Sequence, residues 1–458
     1  MAMGTRTRAR QPAMWVATTA LPTSASHPFY ARLNQVLAER RFDDVAEGLC
    51  APFYAKTMGR PGLAPGIYFR LLLIGYFEGL DSERGIAWRT ADSFALRDFV
   101  GVGLEGAPPD HSTISRTRRL IDLETHRAIF TWVLQALGGA GLVKGKTIGI
   151  DATTLEANAA LRSIVRRDTG ESYQAFLTTL AQTSGIETPT RADLARLDRK
   201  RKKKGANKDW THPHDPDARI AKMKDGRTHL AHKAEHAVDL ETGAIVGLTV
   251  QGADQGDTTT IETTLPEALE QLEAVAAVTD DVVATGEECV ADKAYHSKQK
   301  LVELAQLGLR TYISEPDRGP QGWIDQRAAR DAVYANRRRI RGARGKRLLR
   351  RRGELLERPN ALLYETGGMR RTHLRGHVNI LKRLLIHAGG CNLGLLMRTR
   401  FGVGTPRGLQ GRRPAALTAL AALWTRLAAR WTLGSLQPDD APRWFRPRLH
   451  HALLPAVA

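Results

Sequence analysis

The spacing of apolar and polar residues divides the chain into a helical first part and a mixed second part. Apolar residues recur at helical spacing from about residue 28 to 140, and the stretch LAPGIYFRLLLIGYFEGL (63–80) is apolar nearly all round. A segment of that kind predicts a buried helix. From Lys144 onward, short β-branched runs bounded by Gly and charged residues replace the helical pattern. We therefore predict a helical domain over 28–140 for DNA binding or oligomerisation, followed by an α/β domain over 141–400.

The second part predicts a mixed α/β order of elements. KTIGID (146–151) indicates a first strand, with Asp151 at its end. The stretch 228–254 predicts two strands joined at Glu241-Thr242-Gly243, where the Gly supplies a positive φ. The order then continues with a helix at 263–277, a strand ending at Asp292, a short helix at 301–308 and a strand at 309–316. Three strands, helix, strand, helix, strand and further helices indicate a mixed sheet flanked by helices.

Three further segments lie outside these two regions. Residues 1–27 have a basic start and a weakly apolar middle broken by Thr and Pro, which predicts a disordered basic leader. A polar, basic insertion at about 160–226 separates the first strand from the hairpin. After residue 400, LTALAALWTRLAARW predicts an amphipathic helix in a C-terminal tail over 401–458.

The end of the helical region offers a candidate DNA-reading helix. HSTISRTRRL begins at His111 behind a Pro-Pro turn, with Ser112 or Thr113 as a plausible N-cap. Its first turns carry Arg116, Arg118 and Arg119, a pattern compatible with a helix-turn-helix. The alternative is a bundle helix with a solvated basic face.

Charge strengthens the case for a polyanionic partner. The 458 residues carry 68 Lys and Arg against 48 Asp and Glu, a formal net charge of +20. One basic block spans 199–204 and a second spans 337–352; neither contains an aromatic residue, so stacking on single-stranded bases is not indicated. The block residues predicted to contact DNA phosphates are Lys202, Lys203, Arg338, Arg339, Arg344, Arg347 and Arg351.

Two negative features narrow the class of protein. Three widely separated cysteines, Cys50, Cys289 and Cys391, give neither a disulfide framework nor a zinc-ligand spacing, which fits a reducing cytoplasm. No run of about 18 uncharged apolar residues occurs, so no membrane-spanning helix is expected.

Asp151 and Asp292 are candidates for metal-dependent chemistry. Each follows a short apolar run, and two neighbouring parallel strands would bring such ends together. Phosphodiester cleavage with two divalent metals needs hard oxygen ligands of this kind. Either aspartate alone is more typical of a turn residue or a helix N-cap.

Three blocks together resemble the catalytic segments of DDE transposases from bacterial insertion sequences. They are IDATTLEANAA, ADKAYHS and GELLERPNALLYETGGMRRTHLRGHVNILKRLLIHAGGCNLGLLMR, and PPDHSTISRTRRL resembles the helical domain that precedes the catalytic core. The resemblance covers about residues 28 to 400. It implies a ribonuclease H-like catalytic domain, hydrolysis at the element's ends by a metal-activated water, and transfer of the freed 3′-hydroxyl into target DNA.

The resemblance assigns three acids as catalytic residues and metal ligands: Asp151, Asp292 and Glu357. Pro359 conflicts locally with the third, because it removes an amide hydrogen bond to Leu355 and disfavours helical dihedrals before it. The helix is expected to kink or to begin at Pro359, or this copy is impaired. Glu354 is the alternative third acid, and a surface salt bridge to Arg350 or Arg358 is the alternative for either glutamate.

Several weaker candidates remain. Asp254 and Asp257 follow the hairpin and are predicted either near the metals or in a turn. His232 and His236 would share one strand face, with His229 on the other, which does not favour zinc. Lys293, Tyr295 and His296 follow the second acid and are possible DNA contacts.

The resemblance further implies two Mg²⁺ ions, with Mn²⁺ as a substitute, and double-stranded DNA as element end and as target. It implies an oligomer, at least a dimer, because two ends must be brought together, and a cytoplasmic, nucleoid-associated location without a membrane. Two alternatives stay open. One is a catalytically impaired or domesticated DNA-binding relative, and the other is a nuclease of the same fold that only hydrolyses DNA.

Overall fold

The computed structural model describes residues 28–407, apart from 56–58, 60–61, 104, 202–204, 224–225, 280–281 and 320–321. The predicted leader over 1–27, the predicted helix in the C-terminal tail, and the candidate DNA contacts Lys202 and Lys203 lie outside the described residues.

The first region is helical, as predicted. Its helices are α1 Pro28–Glu39, α2 Phe42–Cys50, α3 Pro65–Glu78, α4 Glu83–Ala91, α5 Phe94–Phe99, α6 His111–Leu120 and α7 Leu123–Gly138. Pro65 stands in the first turn of α3, and Gly79 ends the helix with φ +70°. Twelve of the 14 residues of α3 are buried, which confirms the prediction of a buried helix.

The second region contains a mixed sheet. The strands of this region are β1 Thr147–Glu156, β2 Val165–Arg166, β3 Trp210–Thr211, β4 Arg219–Lys222, β5 Thr228–Asp239, β6 Ile245–Gly252, β7 Glu288–Ala291 and β8 Arg310–Ile313, of which β2 and β3 form a separate pair. The main sheet has the order β4-β5-β1-β7-β8, and β6 also pairs with β5. β5 and β6 form the predicted hairpin, with Gly243 at φ +85°. β1, β7 and β8 run parallel, whereas β5 is antiparallel to β1.

Helices cover the sheet and occupy the insertion. They are α8 Tyr173–Thr183, α9 Arg191–Lys200, α10 Asp257–Ala276, α11 Lys298–Gln306, α12 Arg327–Arg341, α13 Ala343–Asn360 and α14 His377–Phe401. The first two, α8 and α9, lie in the insertion and share a small apolar cluster around Leu177, Ala181 and Leu194. The observed element order agrees with the predicted mixed α/β class.

α14 joins the helical region to the sheet. It packs against α3 and α7 on one side and against β6 on the other. The Asn392 side chain donates to the carbonyl of Ile245 (2.8 Å) and accepts from its amide (2.9 Å). α14 is long and apolar enough to cross a membrane, but 89% of its apolar window is buried inside the protein, as in a core helix. The described residues from Pro28 to Pro406 form one compact unit.

Two local expectations were wrong, and one of the alternatives for Pro359 is excluded. β1 continues to Glu156, so Asp151 lies within the strand, because pairing with β5 runs on to the Glu156/Ala231 position. Asp110, and not Ser112 or Thr113, caps α6, since its side chain accepts the Ser112 amide (2.8 Å). α13 does not begin at Pro359, which lies inside the helix, so that alternative for Pro359 is excluded.

Candidate active site

The two predicted aspartates lie level with each other on neighbouring parallel strands. Gly149 of β1 pairs with Val290 of β7, and two residues further along each strand come Asp151 and Asp292. Asp292 directly follows β7, and its side chain also accepts the Ala294 amide (2.8 Å). It is therefore an N-cap as well, the role that a lone aspartate after a strand most often has.

Arg352 of α13 lies between the two carboxylates. Its Nη2 is 2.7 Å from Oδ1 of Asp151 and 3.9 Å from Oδ2 of Asp292. The side chain of Arg352 is 16% exposed and that of Asp151 is 23% exposed. The pair of carboxylates thus forms a partly buried cradle for a positive charge.

Burial dominates the electrostatics of Asp151. Loss of solvent raises the pKa of this carboxyl above its ordinary value, the Arg352 guanidinium lowers it, and the Asp292 carboxylate raises it again. Asn360 contributes a hydrogen bond from Nδ2 to Oδ2 of Asp151 (3.2 Å), which also favours the ionised form. A cation at this position therefore stabilises a charge that burial alone disfavours.

Several polar atoms near Asp151 have no hydrogen-bond partner among the described residues. They are the hydroxyl of Tyr364, Nε of Arg352 and Oδ1 of Asn360. His236 lies opposite Asp151 in the register of β1 and β5, and burial lowers its pKa to about 4. The Tyr364 ring lies 6.5 Å from the His236 ring, and burial raises the pKa of its phenol. Buried polar groups normally have partners, so this concentration marks a site for a polar ligand.

Pro359 shapes this site through the backbone that follows it. Residues Ala361–Thr366 form a π-helical turn, in which the amide of Gly367 bonds to the carbonyl of Leu362 (2.8 Å). A π-turn accommodates one extra residue and often occurs at functional sites. It turns Tyr364 into the protein, where the side chain is fully buried, instead of leaving it on one stripe with Glu354 and Glu357.

The candidate third acids do not join the two aspartates. Glu357 is exposed, and Glu354 is exposed and paired with Arg358 at 2.6 Å, the surface salt bridge given above as its alternative role. Across the residues that the structure describes, no three or more His, Cys, Asp or Glu side chains form a group able to hold a metal ion. Two carboxylates around a cation and the free amide oxygen of Asn360 suit a hard divalent ion, whereas the third acidic ligand is not in place.

The predicted DNA-contacting residues fall into two groups. Arg118 is buried in an ion pair with Glu83 (2.7 Å), Arg339 bonds to Thr311, and Arg344 makes a bidentate pair with Glu288. These three hold the fold together and do not present a free charge. Arg351 is exposed but donates to the carbonyl of Glu241 (2.6 Å). The remaining exposed residues are Arg116, Arg119, Lys293, Arg338 and Arg347.

An arginine-rich depression lies beside α13. Its arginines are Arg347, Arg350, Arg351 and Arg358, with Glu241 and Glu354 among the other lining residues. Part of this set belongs to the basic block that the sequence shows over 337–352, and α13 places these arginines close together. Its chemistry suits a phosphate backbone.

The weaker candidates occupy structural positions. Asp257 opens α10 in an ion pair with Lys233, and Asp254 lies 3.6 Å from Arg219. The His232 ring pairs with Asp215 (3.1 Å). Tyr295 and His296 are buried, and Tyr295 donates to Glu235 (2.7 Å). The prediction that Tyr295 and His296 contact DNA is therefore wrong, because neither side chain reaches the surface.

Sequence reasoning missed Arg352, Asn360 and His236 as neighbours of Asp151. The signal for two of them was available: Arg352 and Asn360 are eight residues apart in a predicted helix and therefore lie within one broad face. His236 could be found only from the register of β5 on β1, which no single sequence reveals.

Comparison with known protein families gives two matches. Residues 20–120 match a family described as Transposase domain (DUF772), and residues 199–393 match one described as Transposase DDE domain. The comparisons with curated proteins and with solved structures gave no match. The second family implies a ribonuclease H-like fold, with which the mixed sheet flanked by helices agrees. With transposase domains matched in both its helical and its α/β regions, the chain belongs to the DDE transposases of insertion sequences.

Proposed function

We propose that this transposase binds the terminal inverted repeats of its insertion sequence, hydrolyses a phosphodiester bond at each end, and joins the freed 3′-hydroxyl to target DNA. The observation that supports this most directly is the pair Asp151 and Asp292, level on adjacent parallel strands and converging on one positive charge.

The family generally uses divalent metals, and we propose Asp151, Asp292 and Glu357 as the ligands. Two Mg²⁺ ions, or Mn²⁺ in their place, would activate the attacking oxygen and stabilise the leaving oxygen. Asn360 orients the Asp151 carboxylate through its amide. The buried neutral groups His236 and Tyr364 exclude bulk water from one side of the pair. Glu357 lies exposed on the same helix as Arg352, and we propose that it approaches the pair in the complex with DNA.

DNA recognition is proposed for three surfaces. Arg116 and Arg119 of α6 face solvent, Lys293 and Arg338 lie exposed in the catalytic region, and the arginine-rich depression beside α13 includes Arg347 and Arg351. Positive charge at these places supports contact with phosphates of double-stranded DNA. We further propose that the chain acts in the cytoplasm on the nucleoid, and as a dimer or larger oligomer, since two element ends must be cut together.

The test is a cleavage and joining assay on purified protein with DNA that carries the element's ends. We expect Mg²⁺-dependent nicking and strand transfer, lost by at least about a hundredfold in Asp151→Asn and Asp292→Asn while DNA binding is retained. Glu357→Gln should be inactive and Glu354→Gln active, the second serving as the matched control on the same helix. Retention of cleavage in Glu357→Gln with its loss in Glu354→Gln would contradict the assignment of the third acid. Cleavage without any joined product would indicate a nuclease that only hydrolyses.

A catalytically impaired DNA-binding relative is the second candidate. It is favoured by the exposed position of Glu357, which does not group with the two aspartates, and by Pro359 and Asn360 beside it. For this candidate, the wild-type protein would bind element ends and lose that binding at high salt, but would not cut them in Mg²⁺ or Mn²⁺. Short inverted repeats that flank the gene would favour the active transposase.

A further inference from the structure

Arg352 occupies the position between the catalytic aspartates where positive charge is needed. Its guanidinium is 2.7 Å from Asp151 and 3.9 Å from Asp292, so one side chain serves both carboxylates. Two carboxylates and a single guanidinium leave the cluster with one uncompensated negative charge. A divalent cation in the same place would balance it fully.

Other contacts bind Arg352 only weakly to this position. Its Nε is buried and has no hydrogen-bond partner among the described residues. Arg344, on the same helix, makes two hydrogen bonds to Glu288, and Arg339 makes two to Thr311. Among the described residues, the carboxylates of Asp151 and Asp292 are the ionic partners of Arg352, so a cation that binds these carboxylates would compete with it.

The surroundings already suit a hard cation. Oδ1 of Asn360 is buried without a partner, and the Nδ2 of the same amide bonds to Asp151. Amide and carboxylate oxygens are the usual protein ligands of Mg²⁺. Departure of the guanidinium would leave the carboxylate oxygens of Asp151 and Asp292 beside the space that it occupied.

Resting on the proposed function, we infer that Arg352 is a resident counter-ion of the catalytic carboxylates, which a divalent cation must displace. Metal loading is then an exchange of cations. The displaced guanidinium gains a new partner when a DNA phosphate is close, because guanidinium and phosphate form strong paired hydrogen bonds. The exchange couples metal binding to DNA binding and keeps the DNA-free protein weakly loaded.

The inference is tested by Mn²⁺ binding to the full chain without DNA, followed by electron paramagnetic resonance of the free ion. Arg352→Gln should bind Mn²⁺ about tenfold more tightly than the wild type, because the competing charge is gone. Arg352→Lys should keep the weak affinity, since it retains the charge. Lys346→Gln, which removes an exposed positive charge from the same helix, is the matched control and should bind Mn²⁺ as the wild type does.

Thermal denaturation is a second measurement, and it distinguishes the loss of the Arg352 charge from a general loss of structure. Without metal, Arg352→Gln should melt at a lower temperature than the wild type, and saturating Mn²⁺ should raise its melting temperature by more. If Arg352→Gln bound Mn²⁺ with unchanged or weaker affinity than the wild type, the inference would be wrong. A weaker affinity would mean that Arg352 positions the aspartates for the metal. Equal Mn²⁺ binding by wild type and Asp151→Asn would instead count against the proposed metal site itself.

Discussion

At the scale of single residues, burial separates arginines that stabilise the fold from those that are free to bind DNA. Arg116, Arg118 and Arg119 are equivalent in the sequence pattern, yet Arg118 faces Glu83 and Asn379 inside the protein. Its neighbours at 116 and 119 point to solvent. A helical repeat assigns faces, but it does not show which face another part of the chain will cover. Asn379, 261 residues away, could not be anticipated.

The first prediction contrasts Arg118 with Arg116. Arg118→Ala should lower the free energy of unfolding by about 3 kcal/mol, because it removes the buried partner of the largely buried Glu83 side chain. Arg116→Ala should change stability by less than about 0.5 kcal/mol. For DNA binding, the plot of the logarithm of the binding constant against the logarithm of the salt concentration should be less steep by about 0.9 in Arg116→Ala. This change corresponds to the loss of one phosphate contact. Urea denaturation and binding titrations at several salt concentrations measure both effects. Equal destabilisation by the two substitutions would contradict this division of roles.

At the scale of elements, sequence patterns predicted the elements well but not all of their ends. The hairpin, the parallel pair β1 and β7, and the buried helix α3 follow from local apolar spacing and turn residues. The continuation of β1 past Asp151 depends on pairing with β5, which is a tertiary fact. Pro359 predicted that the helix kinks or begins there. The helix does not begin there, because α13 runs through Pro359, and a π-helical turn follows it directly.

The packing of these elements also limits how much of the site can be predicted from the sequence. Asp151 and Asp292 could be paired from their strands, because neighbouring parallel strands align their ends. The third acid depends on how α13 is rotated about its axis, and that rotation is set by packing of Leu348 and Leu355 against Leu240 and Tyr312. In this packing Arg352 faces the aspartates and Glu357 does not join them. Helix rotation of this kind is not encoded in the spacing of the acids.

A second prediction concerns the contact between α14 and β6. Asn392 satisfies both the amide and the carbonyl of Ile245, and all of these groups are buried. Asn392→Leu should therefore lower the free energy of unfolding by about 2–5 kcal/mol, since two backbone groups lose their partner. Thr399→Val, at an exposed position of the same helix, is the control and should change it by less than about 0.5 kcal/mol. A small effect of Asn392→Leu in urea denaturation would mean that α14 does not stabilise the sheet in this way.

At the scale of the whole molecule, the helical region and the sheet share one compact unit, so charge changes in either should affect the same unfolding transition. Burial lowers the pKa of His126 in α7 and of His236 in β5 to about 4 in each case. His126 is held neutral between the carbonyl of Asp122 (2.6 Å) and the hydroxyl of Tyr68 (3.0 Å). In the unfolded chain, both side chains take up a proton near pH 6.5.

These depressed values predict the pH dependence of stability. The unfolded state binds more protons than the folded state between about pH 6.5 and 4, so stability is complete above that window and is lost as the pH falls through it. Each histidine should cost about 2 kcal/mol at pH 5. Asp151 and Glu235, whose pKa values burial raises, act in the opposite direction over part of the range. A substitution is therefore needed to isolate one histidine.

Thermal denaturation of wild type, His126→Gln and His373→Gln between pH 7.5 and 5 isolates that contribution. His126→Gln should be less stable at pH 7.5 but should lose about 2 kcal/mol less than the wild type on acidification, because the glutamine takes up no proton. His373 is exposed and paired with Asp81 at the surface, so its substitution should leave the pH dependence nearly unchanged. Both effects should appear in a single transition, since the helical region that contains His126 and the sheet belong to one compact unit. Two separate transitions, with only the first sensitive to His126, would show instead that the helical region unfolds independently of the sheet.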